Sequence, residues 1–283
     1  MIDLSCHFLY GPACGPRSFA ESLELCRTAI KQGVDTIVFT PRWNGGSDDP
    51  SLLTQCRQDM EHLRNQLQQV VDLQIGFLLQ FSAELPGLVD QYGENLALGG
   101  KRHLLVSMPA NKVPMTADNI WRELWQRGFR VVISQPESRP ALRRQPETLR
   151  AWVVNGIKLQ ISAASILGWH GREVRRFALE YLQQYKESVF IASNGHAGNG
   201  DAGALKQARE EITRIFGDEY AGHCLRDLPA AILAKNIGRA PSRTPRPFTD
   251  RRSFLRALSS WSGAFSSTVR SAWVSHFGAQ FNE

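Results

Sequence analysis

Short apolar runs alternate along this chain with longer stretches of helical periodicity. Seven runs rich in Val, Ile, Leu and Phe predict strands over 1–8, 35–40, 73–81, 103–108, 130–134, 157–162 and 188–193. Between them, apolar residues recur every three or four positions, which predicts helices over 18–32, 50–71, 116–127, 141–155, 165–185 and 203–216. Because strands that alternate with helices pair in parallel, the predicted class is α/β, with a (β/α) barrel favoured over a doubly wound sheet.

The first predicted helix has clear boundary signals. Ser18 is followed three residues later by Glu21, which is the pattern of a capping box. Gly33 follows the last apolar residues of the stretch, as is typical at the end of a helix. These signals predict one complete strand, helix, strand unit at the start of the chain.

The composition of the chain changes near Arg239. Residues 239–253 are rich in proline and arginine and predict a linker after a barrel domain over 1–238. Residues 254–283 carry large apolar side chains at spacings of three or four, with serines between them, which predicts an amphipathic helical segment. Such a segment can lie on an anionic membrane surface, dock on a membrane-bound partner or fold back on the barrel.

The formal net charge of +6 is concentrated in the same tail. Residues 239–283 hold seven arginines against two carboxylates, so the predicted barrel domain is close to neutral. A nearly neutral body offers no basic surface for a polyanion, and no nucleic-acid partner is predicted. The absence of a long apolar run and of a basic leader before the first strand predicts a cytoplasmic protein, with membrane-surface contact through 254–283 left open.

The five cysteines are scattered along the chain and form no C-x-x-C pair. This pattern predicts free thiols rather than a disulfide framework or a thiolate zinc site. None of the cysteines has an arginine six residues later, so the sequence lacks the C-x5-R cradle of the cysteine-based phosphatases.

Polar side chains follow most of the predicted strands, at the end where (β/α) barrels carry their chemistry. They are amides, hydroxyls, imidazoles and guanidinium groups with a single carboxylate: Ser5, His7, Thr40, Arg42, Gln80, Ser107, Gln135, Glu137, Arg139, Gln160, Ser162, Asn194 and His196. A metal cluster requires several anionic oxygens and imidazoles to offset its charge. This set is poor in both.

Five motifs of the sequence, taken in order and spacing, carry a family resemblance. They are "MIDLSCH", "QGVDTIVFTPR", "FRVVISQPESR", "LQISAASILGWHG" and "VFIASNGHA". Over residues 1–235 the chain resembles the bacterial capsular-polysaccharide-type tyrosine phosphatases of the polymerase and histidinol phosphatase (PHP) superfamily. The resemblance implies a distorted seven-stranded (β/α) barrel in which manganese or other divalent ions activate water to hydrolyse phosphotyrosine. It also implies a role in capsule or exopolysaccharide synthesis, on the tail of a tyrosine kinase.

Most of the metal ligands that the resemblance implies are replaced in this chain. The residues that stand in their places are Ser5, Cys14, Arg42, Gln80, Ser107, Gln135 and Asn194, whereas His7 and His196 match the family pattern. Glu137 is retained, but the arginine that should follow it directly is displaced to Arg139. Changes from Glu to Gln or from Asp to Asn keep the shape of the side chain and delete its charge.

Two hypotheses follow. In the first, the protein needs no cofactor and acts by binding a tyrosine kinase tail or a polysaccharide-export protein. Its candidate ligand-binding residues are Arg42, Arg139, Gln80, Gln135 and Asn194. A fixed guanidinium such as that of Arg42 disfavours a metal ion and can itself accept an anion such as phosphate.

In the second hypothesis, His7, His196 and Glu137 hold a single manganese or other divalent ion. Two imidazoles and one carboxylate are a ligand set known from catalytic metal sites, so the chain would retain a metal-dependent tyrosine phosphatase activity. This hypothesis requires the three side chains to converge in the fold.

Overall fold

The structure is a computed structural model that describes residues 1–11, 15–43, 50–196 and 203–234. The predicted linker over 239–253, the predicted amphipathic segment over 254–283 and Cys14 lie outside the described residues. Within the described ranges, no helix has both the length and the apolar character needed to cross a membrane.

The strands of the structure agree closely with the apolar runs of the sequence. They are β1 (Ile2–Cys6), β2 (Thr36–Phe39), β3 (Arg42–Trp43), β4 (Asp72–Ile75), β5 (Leu78–Gln80), β6 (His103–Ser107), β7 (Arg130–Ser134), β8 (Lys158–Ser162) and β9 (Val189–Ala192). Every pairing between them is parallel. The alternating pattern therefore predicted the sheet type correctly.

The helices between the strands are more finely divided than the sequence predicts. They are α1 (Phe19–Lys31), α2 (Pro50–Gln66), α3 (Leu85–Tyr92), α4 (Ala117–Gln126), α5 (Pro140–Arg143), α6 (Pro146–Val154), α7 (Ala163–Ile166), α8 (Arg172–Gln184), α9 (Ala204–Phe216), α10 (Asp218–Gly222) and α11 (Leu228–Leu233). The helix predicted over 141–155 is two helices because Pro146 cannot continue the first. The predicted cap of α1 is confirmed, since the Ser18 hydroxyl accepts a hydrogen bond from Glu21 N at 3.2 Å.

The parallel strands form two hydrogen-bonded sheets, in the orders β1-β2-β4 and β3-β5-β6-β7-β8-β9. The two sheets join at two bends, one between β2 and β3 and the other between β4 and β5. Backbone hydrogen bonds from Gly76 N to Phe39 O (2.9 Å) and from Leu78 N to Pro41 O (3.0 Å) continue the ladder across these bends. A Cβ at Gly76 would lie 2.8 Å from the Cα of Leu98, so only glycine fits at this bend.

The remaining opening is closed between β1 and the segment after β9. Asn194 N donates to Ser5 O at 2.8 Å, and His7 N donates to Gly195 O at 2.9 Å. The strands therefore occupy seven positions around a distorted barrel, and the predicted fold class is confirmed. A Cβ at Gly195 would lie 2.6 Å from the Phe8 ring, so this crossing also requires glycine.

One layer of the core draws apolar side chains from most of the strands, including Leu4, Val38, Leu105, Val132 and Phe190. Leu228 and Ile232 of α11 belong to the same cluster. The carbonyl of Ile232 lies 3.2 Å from Nδ1 of His103, the first residue of β6, so α11 sits at the amino-terminal end of the barrel. The carboxyl ends of the strands remain for polar groups.

A buried carboxylate, Asp3, lies at the seam between β1 and β9. Its Oδ1 accepts hydrogen bonds from Ser193 N at 3.0 Å and from Ser5 N at 3.3 Å, and the side chain is 1% exposed. Burial raises the pKa of Asp3 from 3.8 to about 6, against the opposing effect of the Ser193 and Ser5 hydrogen bonds. The folded state therefore binds this proton more tightly than the unfolded chain does.

We expect Asp3→Asn to be more stable than the parent chain above pH 6 and to lose that advantage near pH 4. The parent chain loses the contribution of Asp3 to its free energy of unfolding as the pH rises from 3.8 through about 6. At ~1.4 kcal/mol per pKa unit, this loss amounts to about 3 kcal/mol at most. Urea unfolding of both chains across this range measures the difference.

The control is Asp3→Ala, which leaves two buried N–H groups without an acceptor and should be less stable than Asp3→Asn by about 1–3 kcal/mol at every pH. A difference between Asp3→Asn and the parent that does not change with pH would contradict this assignment.

Candidate functional site

A neutral hydrogen-bonded network links the carboxyl ends of β1, β2 and β9. The hydroxyl of Ser5 donates to Asn194 Oδ1 at 3.0 Å and lies 3.1 Å from the hydroxyl of Thr40. Ser5 and Thr40 are 0% exposed, and Asn194 is 5% exposed. The amide Nδ2 of Asn194 is buried and has no protein partner. Two polar residues from the ends of different strands therefore bond to each other.

Two histidines that follow β1 and β9 stack face to face. The ring centroids of His7 and His196 are 4.3 Å apart, with 14° between the ring planes. Burial, then His196 and then Arg42 lower the pKa of His7 from 6.5 to about 3. The His7 imidazole is therefore neutral at physiological pH, and its buried Nδ1 has no protein hydrogen-bond partner.

Two guanidinium groups complete this end of the barrel. Arg139 donates from Nη2 to the hydroxyl of Ser107 at 2.8 Å, which ties the loop after β7 to the end of β6. Burial, followed by repulsion from Arg42, lowers the pKa of Arg139. The Nε atoms of Arg42 and Arg139 are both buried without a protein partner. Each guanidinium group therefore keeps one buried N–H donor that no described residue satisfies.

We call this set the carboxyl-end site and define it by Ser5, His7, Thr40, Arg42, Ser107, Arg139, Asn194 and His196. Gln80 ends β5 in register with Ser107 on β6, so it lies at the same rim. Gln160 on β8 accepts from the hydroxyl of Ser134 at 2.9 Å and leaves its Nε2 without a partner.

Glu137 bonds to the last residue of β8. Its Oε1 accepts from Ser162 N at 3.0 Å, and its backbone carbonyl accepts from Arg143 Nη1 at 3.0 Å. The side chain is 0% exposed, and this burial raises the pKa of Glu137 from 4.5 to about 7. Glu137 therefore braces the loop between β7 and β8.

Two residues at the carboxyl ends of the strands have a left-handed backbone. Gln135 has φ 49° and ψ 53°, and Asn194 has φ 49°. Asparagine tolerates this conformation, whereas glutamine is strained by it. Strain of this kind is typical of functional sites, which supports a site at this end of the barrel.

The described residues do not fit a manganese cluster. In the part of the chain that the structure describes, no group of three or more His, Cys, Asp or Glu side chains is placed to hold a metal ion. His7, His196 and Glu137 accordingly do not form the three-ligand set of the second hypothesis. The carboxyl-end site instead offers hydroxyls, amides and guanidinium groups, which suit an anion better than a cation.

Sequence reasoning missed two contributors to the site, Asp3 and Ser193, which hold the β1 and β9 seam. Ser162 was singled out as a strand-end residue, but only the structure shows that its N–H holds Glu137. A signal for Asp3 was present, since an aspartate inside an apolar strand is rarely buried without partners. The partners themselves are distant in the sequence and gave no signal.

The fold and the position of the site place the protein among the (β/α) barrels that carry their chemistry at the carboxyl ends of the strands. Residues 1–234 match the family described as "Capsular polysaccharide synthesis, CpsB/CapC", and the chain belongs to this family. The resemblance inferred from the five sequence motifs is thereby confirmed at the level of the family.

Two curated relatives are named as tyrosine phosphatases. The chain is 27% identical over 259 residues to the tyrosine-protein phosphatase YwqE of Bacillus subtilis, which covers 90% of this chain and 99% of the relative. It is 27% identical over 217 residues to the putative tyrosine-protein phosphatase CapC of Staphylococcus aureus, covering 73% of this chain and 81% of the relative.

Solved structures support the same fold. A crystal structure from a study of YwqE from Bacillus subtilis and CpsB from Streptococcus pneumoniae, described as unique metal-dependent tyrosine phosphatases, matches with a TM-score of 0.75 and 24% identity. The match covers 86% of this chain and 99% of that one. The lactonase Lmo2620 of Listeria monocytogenes matches with a TM-score of 0.54 and 10% identity, over 83% of this chain and 94% of that chain.

We expect Gln135→Gly to stabilise the protein by about 0.5–1 kcal/mol, because relief of left-handed strain outweighs the flexibility that glycine adds to the unfolded chain. Chemical unfolding measures the change. Gln80→Gly is the matched control: it places the same substitution within β5, where no such strain exists, and should destabilise the protein. Equal losses in both variants would show that Gln135 is not strained.

Proposed function

We propose that this chain is a tyrosine-phosphatase-like protein of capsule or exopolysaccharide synthesis that acts by binding and needs no metal cluster. Its partner on this proposal is the tail of a tyrosine kinase or a polysaccharide-export protein, in the cytoplasm. The donor set of the carboxyl-end site carries the proposal. Hydroxyls, amides and the guanidinium group of Arg42 stand where the family pattern has imidazoles and carboxylates.

Electrostatics supports the concerted loss of these ligands. Several carboxylates left without metal in one buried site would repel one another and raise each other's pKa values. Neutral amides and hydroxyls instead hydrogen-bond to one another, as Ser5 does to Asn194. The barrel can therefore keep the fold of its family without a metal ion at the carboxyl ends of its strands.

A metal-dependent tyrosine phosphatase with a reduced site is the second candidate. The names of the relatives and the retained His7 and His196 favour it. It requires Glu137 to leave Ser162 N, or Cys14 to supply a further ligand. The first change is not part of the arrangement described above, and Cys14 lies outside the described residues.

The deciding experiment is manganese-dependent hydrolysis of a phosphotyrosine peptide by the full chain, with the metal content of the same sample measured in parallel. We expect no turnover above background and well below one metal ion per chain. A metal-dependent family member, assayed in the same buffer, shows that the assay detects the reaction. Turnover that requires manganese and is lost in His7→Ala would overturn the proposal.

For the tail, we propose that residues 254–283 contact an anionic membrane surface, with the linker over 239–253 adding positive charge. The aromatic and aliphatic spacing and the seven arginines from Arg239 onward support this proposal. In liposome flotation we expect the full chain, but not a chain that ends at residue 238, to rise with vesicles that contain anionic lipid. Equal behaviour of the two chains would count against the proposal.

A further inference from the structure

We infer that the amino-terminal end of the barrel carries a surface that lies on an anionic lipid membrane, so that the carboxyl-end site faces away from the lipid. We call this surface the amino-end patch and define it by Lys101, Arg102, Trp125, Arg130, Val154 and Lys158. The inference goes beyond the proposed function, because it adds a membrane contact made by the barrel itself and gives the direction in which the site opens.

Basic side chains stand at the start of three neighbouring strands. Arg102 directly precedes β6, Arg130 begins β7 and Lys158 begins β8. These strands are consecutive in the larger sheet and pair in parallel, so their first residues meet at one end of the barrel. Elsewhere around the ring, Asp72 begins β4. The positive charge is therefore concentrated on one side of this end.

Ring contacts join the two arginines to aromatic side chains of the same surface. The guanidinium carbon of Arg102 lies 5.1 Å from the centroid of the Phe129 ring, and that of Arg130 lies 5.3 Å from the centroid of the Trp125 ring. A Cβ at Gly156 would lie 3.3 Å from Cζ2 of Trp125, so the turn after α6 packs against the same indole. The patch is therefore one continuous surface built from the starts of β6, β7 and β8.

Apolar side chains accompany the cations. Val154 ends α6 four residues before Lys158 and is 73% exposed, and Trp125 is half-buried. At the boundary of an anionic bilayer, cations meet the lipid headgroups while aliphatic and aromatic groups enter the interface. The amino-end patch offers both kinds of group.

Counter-charge is sparse at this surface. Arg102 forms an ion pair with a carboxylate at 2.9 Å. Lys101, Arg130 and Lys158 form none with other described residues. Lys158 Nζ donates to the backbone carbonyl of Glu187 at 2.8 Å, and Arg130 Nη1 donates to a neighbouring backbone carbonyl at 3.0 Å. Carbonyl groups hold these cations without neutralising them, so the patch attracts an anionic partner.

The chain continues toward its basic tail from this same end. His103 Nδ1, at the start of β6, lies 3.2 Å from the carbonyl of Ile232 in α11. The described chain ends at Ala234, directly after α11. A tail that contacts lipid would therefore bring the amino-end patch to the same membrane, and the second contact of a tethered pair is intramolecular. The patch supplements the tail, since stable membrane association generally needs two signals.

The test is a matched pair of fluorescent labels on the full chain. Val154→Cys places an environment-sensitive probe in the patch. Met115→Cys places it in the loop after β6, at the carboxyl end, where Met115 is 100% exposed. Both are made in a Cys14→Ser background, because the other four cysteines are buried and do not react with the probe.

Vesicles of phosphatidylglycerol and phosphatidylcholine should shift the emission of the label at 154 to shorter wavelength and leave that of the label at 115 unchanged. Vesicles of phosphatidylcholine alone should shift neither, because they carry no net charge. Equal shifts of the two labels, or a larger shift at 115, would overturn the inference.

Charge variants of the full chain test the cations. Arg130→Gln and Lys158→Gln should each weaken binding to the anionic vesicles about fivefold, the effect of one basic group near such a surface. Arg130→Lys keeps the charge and should bind as the parent does. Arg144→Gln is the matched control, because Arg144 is an exposed arginine in the segment after β7, at the carboxyl end. Unfolding curves establish that every variant folds.

The result is separable from the proposal for the tail. If the full chain binds anionic vesicles and both glutamine variants bind as it does, the amino-end patch is wrong and the tail proposal stands. If the full chain and a chain that ends at residue 238 rise equally with vesicles while the glutamine variants bind more weakly, the tail proposal is wrong and the patch stands. A full chain that does not bind anionic vesicles overturns both.

Discussion

Closure of the barrel between its first and last strands is the constraint on which the rest of this structure depends. Backbone bonds from Asn194 to Ser5 and from His7 to Gly195 complete the ring, and the buried carboxylate of Asp3 fastens the seam below them. Because the seam passes through the strand ends, the contacts that close the fold also position the candidate site. The stacked imidazoles of His7 and His196 face each other as a result.

The electrostatics of the site follows from the side chains that lie around that seam. A metal-dependent barrel gathers carboxylates and imidazoles and relies on cations to offset them. Here the described site contains neutral groups and two guanidinium groups, so the excess charge is positive without any ion. Glu137 accepts a hydrogen bond from Ser162 N, and burial favours its protonated form. An arrangement of this kind attracts anions.

The backbone at the carboxyl ends of two strands is left-handed. Gln135 adopts this conformation although glutamine does not favour it, and Asn194 adopts it at the seam. The turn geometry is set by the strands and loops packed around it, so a change of side chain leaves the path of the chain intact. The TM-score of 0.75 at 24% identity accordingly reflects a shared fold.

The sequence by itself determined the α/β class, the parallel strands, the barrel, the family and the polar character of the strand ends, because these depend on local periodicity and on residue type. It did not predict the division of the helix over 141–155 into two, or α3. Only the tertiary structure decided that Ser5 bonds to Asn194, that Asp3 bonds to Ser193 across the seam, that Glu137 bonds to Ser162 N and that Arg139 bonds to Ser107. These pairings join residues far apart along the chain, and barrel closure, rather than local sequence, sets the distances between them.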